Sequence, residues 1–228
     1  MSSNPAPEGP VLRRSHCHLW LLAAIAFSLA YAVLRYNVLK GVEWEHFPLY
    51  IVNKATSLSA VILLASSYLV GRWIKVFEDD PEKRLVLVKF LGLGGFALAA
   101  LHAVMSLTLL SPDYYPKFFA ETKMNLTGEI TMLFGVLGLF WMASPALSSL
   151  PNMQPALGKR LWLRSQRIGY LALSMTGIHL FAMGFKGWLT PNEWPGGMPP
   201  ITMVGFAVVV LPLAAKLITK ERARPAGD

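Results

Sequence analysis

Two histidines, His102 and His179, stand inside long apolar runs of this chain. Ionisable side chains are rare in a hydrocarbon interior. Those present usually face the bundle core or a cavity and carry a function. Imidazole is a haem ligand, and two imidazoles on separate helices satisfy both axial positions of one iron. The pair therefore predicts a single bis-histidine haem held within a membrane.

The elements that must position this pair follow from composition. The 228-residue chain is 54% hydrophobic and 15% charged, which excludes a disordered protein and argues against an ordinary soluble domain. Six apolar windows are long enough to cross a hydrocarbon core: about 18–39, 49–71, 85–110, 126–147, 167–187 and 200–219. Backbone polar groups must pair internally in lipid, so the windows predict helices. Their length and continuous apolarity exclude an outer-membrane barrel. The expected fold is an all-α, polytopic six-helix bundle spanning residues 18–219. A disordered N-terminus is expected at 1–17, its first ten residues rich in Pro and Ser, and a tail at 220–228. The first window exceeds a typical signal core and has no clear cleavage site, so it reads as a retained helix. Arg13 and Arg14 read as its positive anchor rather than as a twin-arginine signal.

Basic residues set the expected orientation. Arg13, Arg14, Arg72, Lys75, Lys83, Arg84, Lys159, Arg160, Arg164, Arg167, Lys216, Lys220, Arg222 and Arg224 collect on one side. By the positive-inside rule that side is cytoplasmic, with both termini on it, in the cell (inner) membrane. The net charge of +8 reflects this asymmetry and attraction to anionic lipid, with no implication of nucleic acid.

Depth supports the pair. His102 lies 17 residues along the third window, roughly 25 Å from its inner end, and His179 lies roughly 18–22 Å along the fifth. Both fall in the outer half, so one haem would sit between the third and fifth helices. Cys17 is the single cysteine, which excludes a disulfide framework, and no C-x-x-C-H occurs. The expected cofactor is one haem b per chain. Gly92, Gly94, Gly95, Gly177 and Gly184 would admit a flat macrocycle, or simply let helices pack closely.

His16, His18 and His46 do not extend the set. On the inner side, a second haem would need ligands where Lys89 and Ser165-Gln166 stand. Lys89 and Gln166 donate hydrogen bonds, and are candidate contacts for a flavin (FAD) ring or a quinone headgroup. The plain alternatives are snorkelling by Lys89 and helix-end capping by Ser165. In the outer loops, Lys117, Lys123 and Lys186 would meet haem propionates or an anionic chelate, while Tyr114, Tyr115, Trp188 and Trp194 read as an interfacial belt. Arg35, Lys54 and Glu129, near the outer helix ends, read as snorkelling or paired. No cluster of His, Cys and carboxylates forms a convincing metal site.

The stretch Leu91-Gly92-Leu93, His102 and Ser106-Leu107 resembles the third membrane helix of the STEAP metalloreductases. Gly169-Tyr170, His179, Gly184 and Lys186 resemble their fifth helix, and Pro199-Pro200 with Leu211-Pro212 their sixth. The resemblance runs from about Arg84 to Leu217. It implies a ferric-reductase-like membrane domain and His102 and His179 as haem ligands. In that family electrons pass from reduced pyridine nucleotide through flavin to haem, then to Fe(III) or Cu(II) chelates or oxygen. It also implies a homotrimer. No G-x-G-x-x-G follows a predicted strand, so the chain alone is not expected to oxidise NADPH. The segment Trp162–Gln166 matches the family's flavin-contacting stretch loosely. The donor would then be a cytoplasmic flavoprotein reductase or a membrane quinol.

Three function classes follow: a metal-chelate reductase, a quinol-dependent haem subunit passing electrons to an extracytoplasmic partner, and a non-redox membrane protein with structural histidines.

Overall fold

A computed structural model describes residues 10–70, 73–74 and 80–222. Six helices in it are long and apolar enough to cross a membrane. They are α1 (Pro10–Ala32), α2 (Val52–Leu69), α3 (Pro81–Thr108), α4 (Leu126–Ser148), α5 (Met153–Trp188) and α6 (Ile201–Arg222). The chain is an all-α polytopic membrane bundle. Its outer surface is apolar: Val104 and Leu107 on α3, and Val136 and Phe140 on α4, are all at least 59% exposed. Lipid solvates such a surface, whereas water would leave a large aggregating patch.

Local signals explain the helix starts. Asp80 caps α3, its carboxylate accepting from the Lys83 N–H at 2.9 Å, with Pro81 at the first helical position. Asn125 caps α4 by accepting from the Gly128 N–H at 3.0 Å. Beyond Ala32, α1 widens into a π-helical turn over Val33–Leu39, and a second π turn, Phe47–Ile51, leads into α2.

The core forms where α2, α4, α5 and α6 meet, around Leu64, Met142, Leu173 and Val209. Small residues set the approach of neighbours. A Cβ at Gly95 of α3 would lie 2.8 Å from the Leu64 side chain, and one at Gly169 of α5 would overlap the Tyr68 hydroxyl. The loop after α3 is ordered by a short antiparallel hairpin, β1 (Phe119–Ala120) with β2 (Lys123–Met124), and by Tyr115 stacked on Phe118 at 5.5 Å.

Three boundaries differ from expectation. Residues 10–17, expected to be disordered, belong to α1, and 220–222 extend α6. The remainder of both expected terminal segments lies outside the described residues. The fifth helix begins at Met153, well before the apolar window. Polar and basic residues at 154–167 continue the helix past the apolar stretch, with a left-handed Gly158 (φ 71°) marking a kink.

Candidate functional site

One cavity of about 600 Å³ opens at one end of the bundle and is lined by both His102 and His179. This is the end that carries the 109–125 and 189–200 loops. The cavity is within the size range of cofactor pockets.

Each imidazole is held through its Nδ1. His179 Nδ1 lies 2.7 Å from the carbonyl oxygen of Thr131 on α4. A backbone carbonyl only accepts, so the ring carries its proton on Nδ1 and keeps the Nε2 lone pair. His102 Nδ1 lies 2.7 Å from Asn53 Oδ1, with Ser106 Oγ at 3.3 Å. Asn53 is itself fixed, its amide nitrogen donating to Ser106 Oγ at 3.0 Å and to the Tyr115 hydroxyl at 3.4 Å. Both rings thus adopt the tautomer of a metal-ligating histidine, with the second nitrogen anchored by the protein.

Gly135 makes the His179 arrangement possible. It lies one turn from Thr131 on α4, and a Cβ there would come within 2.8 Å of His179 Nδ1. Of the five glycines read as room for a macrocycle, Gly95 and Gly177 instead receive side chains of α2 and α6, and only Gly184 lines this cavity.

The cavity wall is cationic. It includes Arg35, Lys40, Lys54, Lys117 and Lys186 against one carboxylate, Glu193. Arg35 is 7% exposed, and its Nε and Nη1 have no hydrogen-bond partner. Lys54 Nζ sits over the rings of Tyr36, Tyr50 and Tyr115 at 4.7, 4.2 and 5.9 Å. Of the two expectations, snorkelling or pairing, the structure favours pairing, with the aromatic rings rather than with a carboxylate. Lys117 Nζ donates to the Met183 carbonyl at 2.6 Å. Burial, reinforced by Lys54 and Lys40, lowers its ammonium to about 8. Burial pushes the Tyr115 phenol up to about 12, so it stays protonated. Tyr114, Tyr115 and Trp194 line this cavity. Lys123 is exposed and does not line the cavity.

A smaller cavity of about 260 Å³ lies toward the opposite end and brings Lys89 and Gln166 together. Neither is idle. Lys89 Nζ donates to Gln154 Oε1 at 3.2 Å. Gln166 Nε2 donates to the Pro145 carbonyl, Ser148 Oγ and Ser149 Oγ at 3.2, 3.0 and 3.1 Å. Ser165 does not cap a helix end: it lies within α5 and bonds the Ser144 carbonyl at 2.8 Å and Ser148 Oγ at 3.0 Å. Trp162, on the cavity wall, has a buried Nε1 without a partner.

Among the described residues, Glu43, Glu45 and His46 form the one group of three potential metal ligands within 4.8 Å of one another, on a largely exposed turn.

The chain is similar to Metalloreductase STEAP2 of Mus musculus. The identity is 24% over 231 aligned positions, covering 85% of this chain and 47% of the relative, and the Homo sapiens protein of that name matches to the same extent. No family model matches the chain. The chain thus carries a STEAP-like membrane domain and spans about half the length of the curated relatives it matches.

Asn53, Thr131 and Gly135 escaped the sequence reading. Asn53 had a signal, since an amide heading an apolar run needs a polar partner. Thr131 contributes only a carbonyl, which no residue type announces.

Proposed function

We propose that this chain carries electrons across a membrane through one b haem bound by His102 and His179. The observation that carries the reading is that both rings line one cavity and each is anchored through Nδ1, which leaves Nε2 as the ligating nitrogen. The residues fit the group: two unblocked imidazole nitrogens, an apolar body of helix, and an unpaired Arg35 guanidinium at the cationic end. Bound there, haem supplies reversible one-electron transfer.

The protein's own part is positional. Asn53 and Thr131 hold the tautomers, and the low-dielectric bundle excludes water and tunes the potential. Lys40, Lys117 and Lys186 draw anions to the mouth. The acceptor is a metal ion, in keeping with the name metalloreductase of the similar proteins, and a ferric or cupric chelate or oxygen is what the family resemblance implies. The histidine end faces outward and both termini face the cytoplasm, in keeping with the Lys and Arg distribution. The enzyme class is then oxidoreductase, with a separate donor and, as in the resembling family, a homotrimeric assembly.

A quinol-dependent haem subunit is a second reading. It is favoured by the smaller cavity, where Trp162 Nε1 has no partner among the described residues and where Lys89 and Gln166 would exchange their present bonds for a quinone headgroup or a flavin ring.

A reduced-minus-oxidised absorbance spectrum of the detergent-purified chain tests the reading. A low-spin b-type spectrum at one haem per chain, lost or turned high-spin in His102→Ala and His179→Ala, is expected. A haem-free wild type after expression with ample haem would overturn it.

A further inference from the structure

Arg35 and Lys54 present a chemical problem that the histidines do not solve. Arg35 lies in the π turn after α1 and Lys54 near the start of α2, both within membrane-crossing segments. Arg35 is 7% exposed with two guanidinium nitrogens unpartnered. Among the described residues, no carboxylate pairs with either side chain. Both cations lie near one ring, Tyr36, with Arg35 Cζ 5.4 Å and Lys54 Nζ 4.7 Å from its centroid.

Two uncompensated cations at this depth are costly unless an anion joins them. The aromatic faces of Tyr36, Tyr50 and Tyr115 offset part of that cost but leave the guanidinium N–H donors unfilled. A guanidinium fork matches a planar two-oxygen acceptor, and an ammonium adds a point charge. Both residues line the same cavity as His102 and His179.

We propose that Arg35 and Lys54 form a carboxylate-binding pair at the polar end of the histidine cavity. The carboxylate comes either from a haem propionate or from the chelator of an incoming ferric ion. The inference rests on the haem reading above, and it assigns the pair a positioning role toward the bound anion.

The test compares wild type with Arg35→Met and Lys54→Met, each loaded with protohaem or with its dimethyl ester, which lacks carboxylates. The readouts are haem loss to apomyoglobin and the midpoint potential. A propionate source predicts that each variant speeds protohaem loss by roughly tenfold or more. Loss of the ester stays unchanged, and the potential shifts downward because a positive charge favouring the reduced state is removed. A chelator source predicts unchanged loss of both haems and a raised KM for ferric citrate, with none for the cationic hexaammineruthenium(III). Equal acceleration of both haems, or no change in any readout, would overturn the pair. A wild type that takes up no haem would overturn the haem reading instead. Calorimetric binding of citrate to wild type against Arg35→Met would then decide the pair, with equal binding counting against it.

Discussion

His179 Nδ1 lies 2.7 Å from the carbonyl oxygen of Thr131, and Gly135, one turn further along α4, leaves the room for it. A Cβ at position 135 would sit 2.8 Å from that nitrogen. Gly135→Ala is therefore expected to push the ring off its acceptor while leaving the helices assembled. Loss of such an outer-shell partner weakens ligand affinity by about 10–100-fold. Haem retention in detergent, followed by absorbance, checks this; wild-type retention would mean that the Thr131 carbonyl does not hold the ring.

Asn53 controls the other ring. Asn53→Leu strands the His102 Nδ1 proton, a loss of about 1–3 kcal/mol. The expected result is weaker haem binding and a fraction of high-spin haem. Asn53→Asp should keep the haem and lower its midpoint potential, because a carboxylate acceptor makes the ligand more basic. Potentiometric titration in which the potential rises would contradict the assigned tautomer.

Lys117 gives the cavity mouth a pH dependence. Its ammonium titrates at about 8, so it is charged below that pH and neutral above it. Affinity for an anionic chelate should fall as pH rises from 7 to 9. Lys117→Met should be weaker at pH 7 and nearly flat over the same range. Steady-state KM for ferric citrate measures it, with a neutral acceptor as control.

At the opposite end, Gln166 ties α5 to Pro145 and Ser148 of α4 and to Ser149 just after it. Gln166→Leu should lower thermal stability by about 1–2 kcal/mol, since polar links between membrane helices average well under 1 kcal/mol each. A second readout separates roles: if Gln166 also meets a donor, the rate of haem reduction by a quinol analogue falls at a temperature where the variant remains folded. Unchanged stability would mean that the Ser144–Ser165 link alone carries the contact.

Much of the fold was legible because lipid imposes one strong rule, that only long apolar helices satisfy their own backbones. The windows at 18–39 and 126–147 coincide closely with the observed spans Cys17–Leu39 and Leu126–Ser148. The early start of α5 was not legible from hydropathy, since residues such as Gln154 and Arg160 are polar and continue the helix beyond the apolar stretch. The pairing of His102 with His179 in one cavity could be read from depth along two parallel helices. What each Nδ1 touches could not. Thr131 acts through its backbone, and Asn53 reaches His102 only because Gly95 lets α3 settle against α2. The position of Arg35 and Lys54 near a helix end is compatible with snorkelling or with pairing and does not choose between them; the π turn that buries Arg35 is invisible to a period of 3.6.

That turn buries three consecutive residues, Arg35, Tyr36 and Asn37, which one face of an ordinary α-helix does not do. A single-residue deletion within 33–39 would restore the regular ladder and swing Arg35 away from the cavity. The six spans and both histidines would remain. The buried guanidinium is thus an indel's width from being gained or lost, separable from the scaffold that holds the imidazoles.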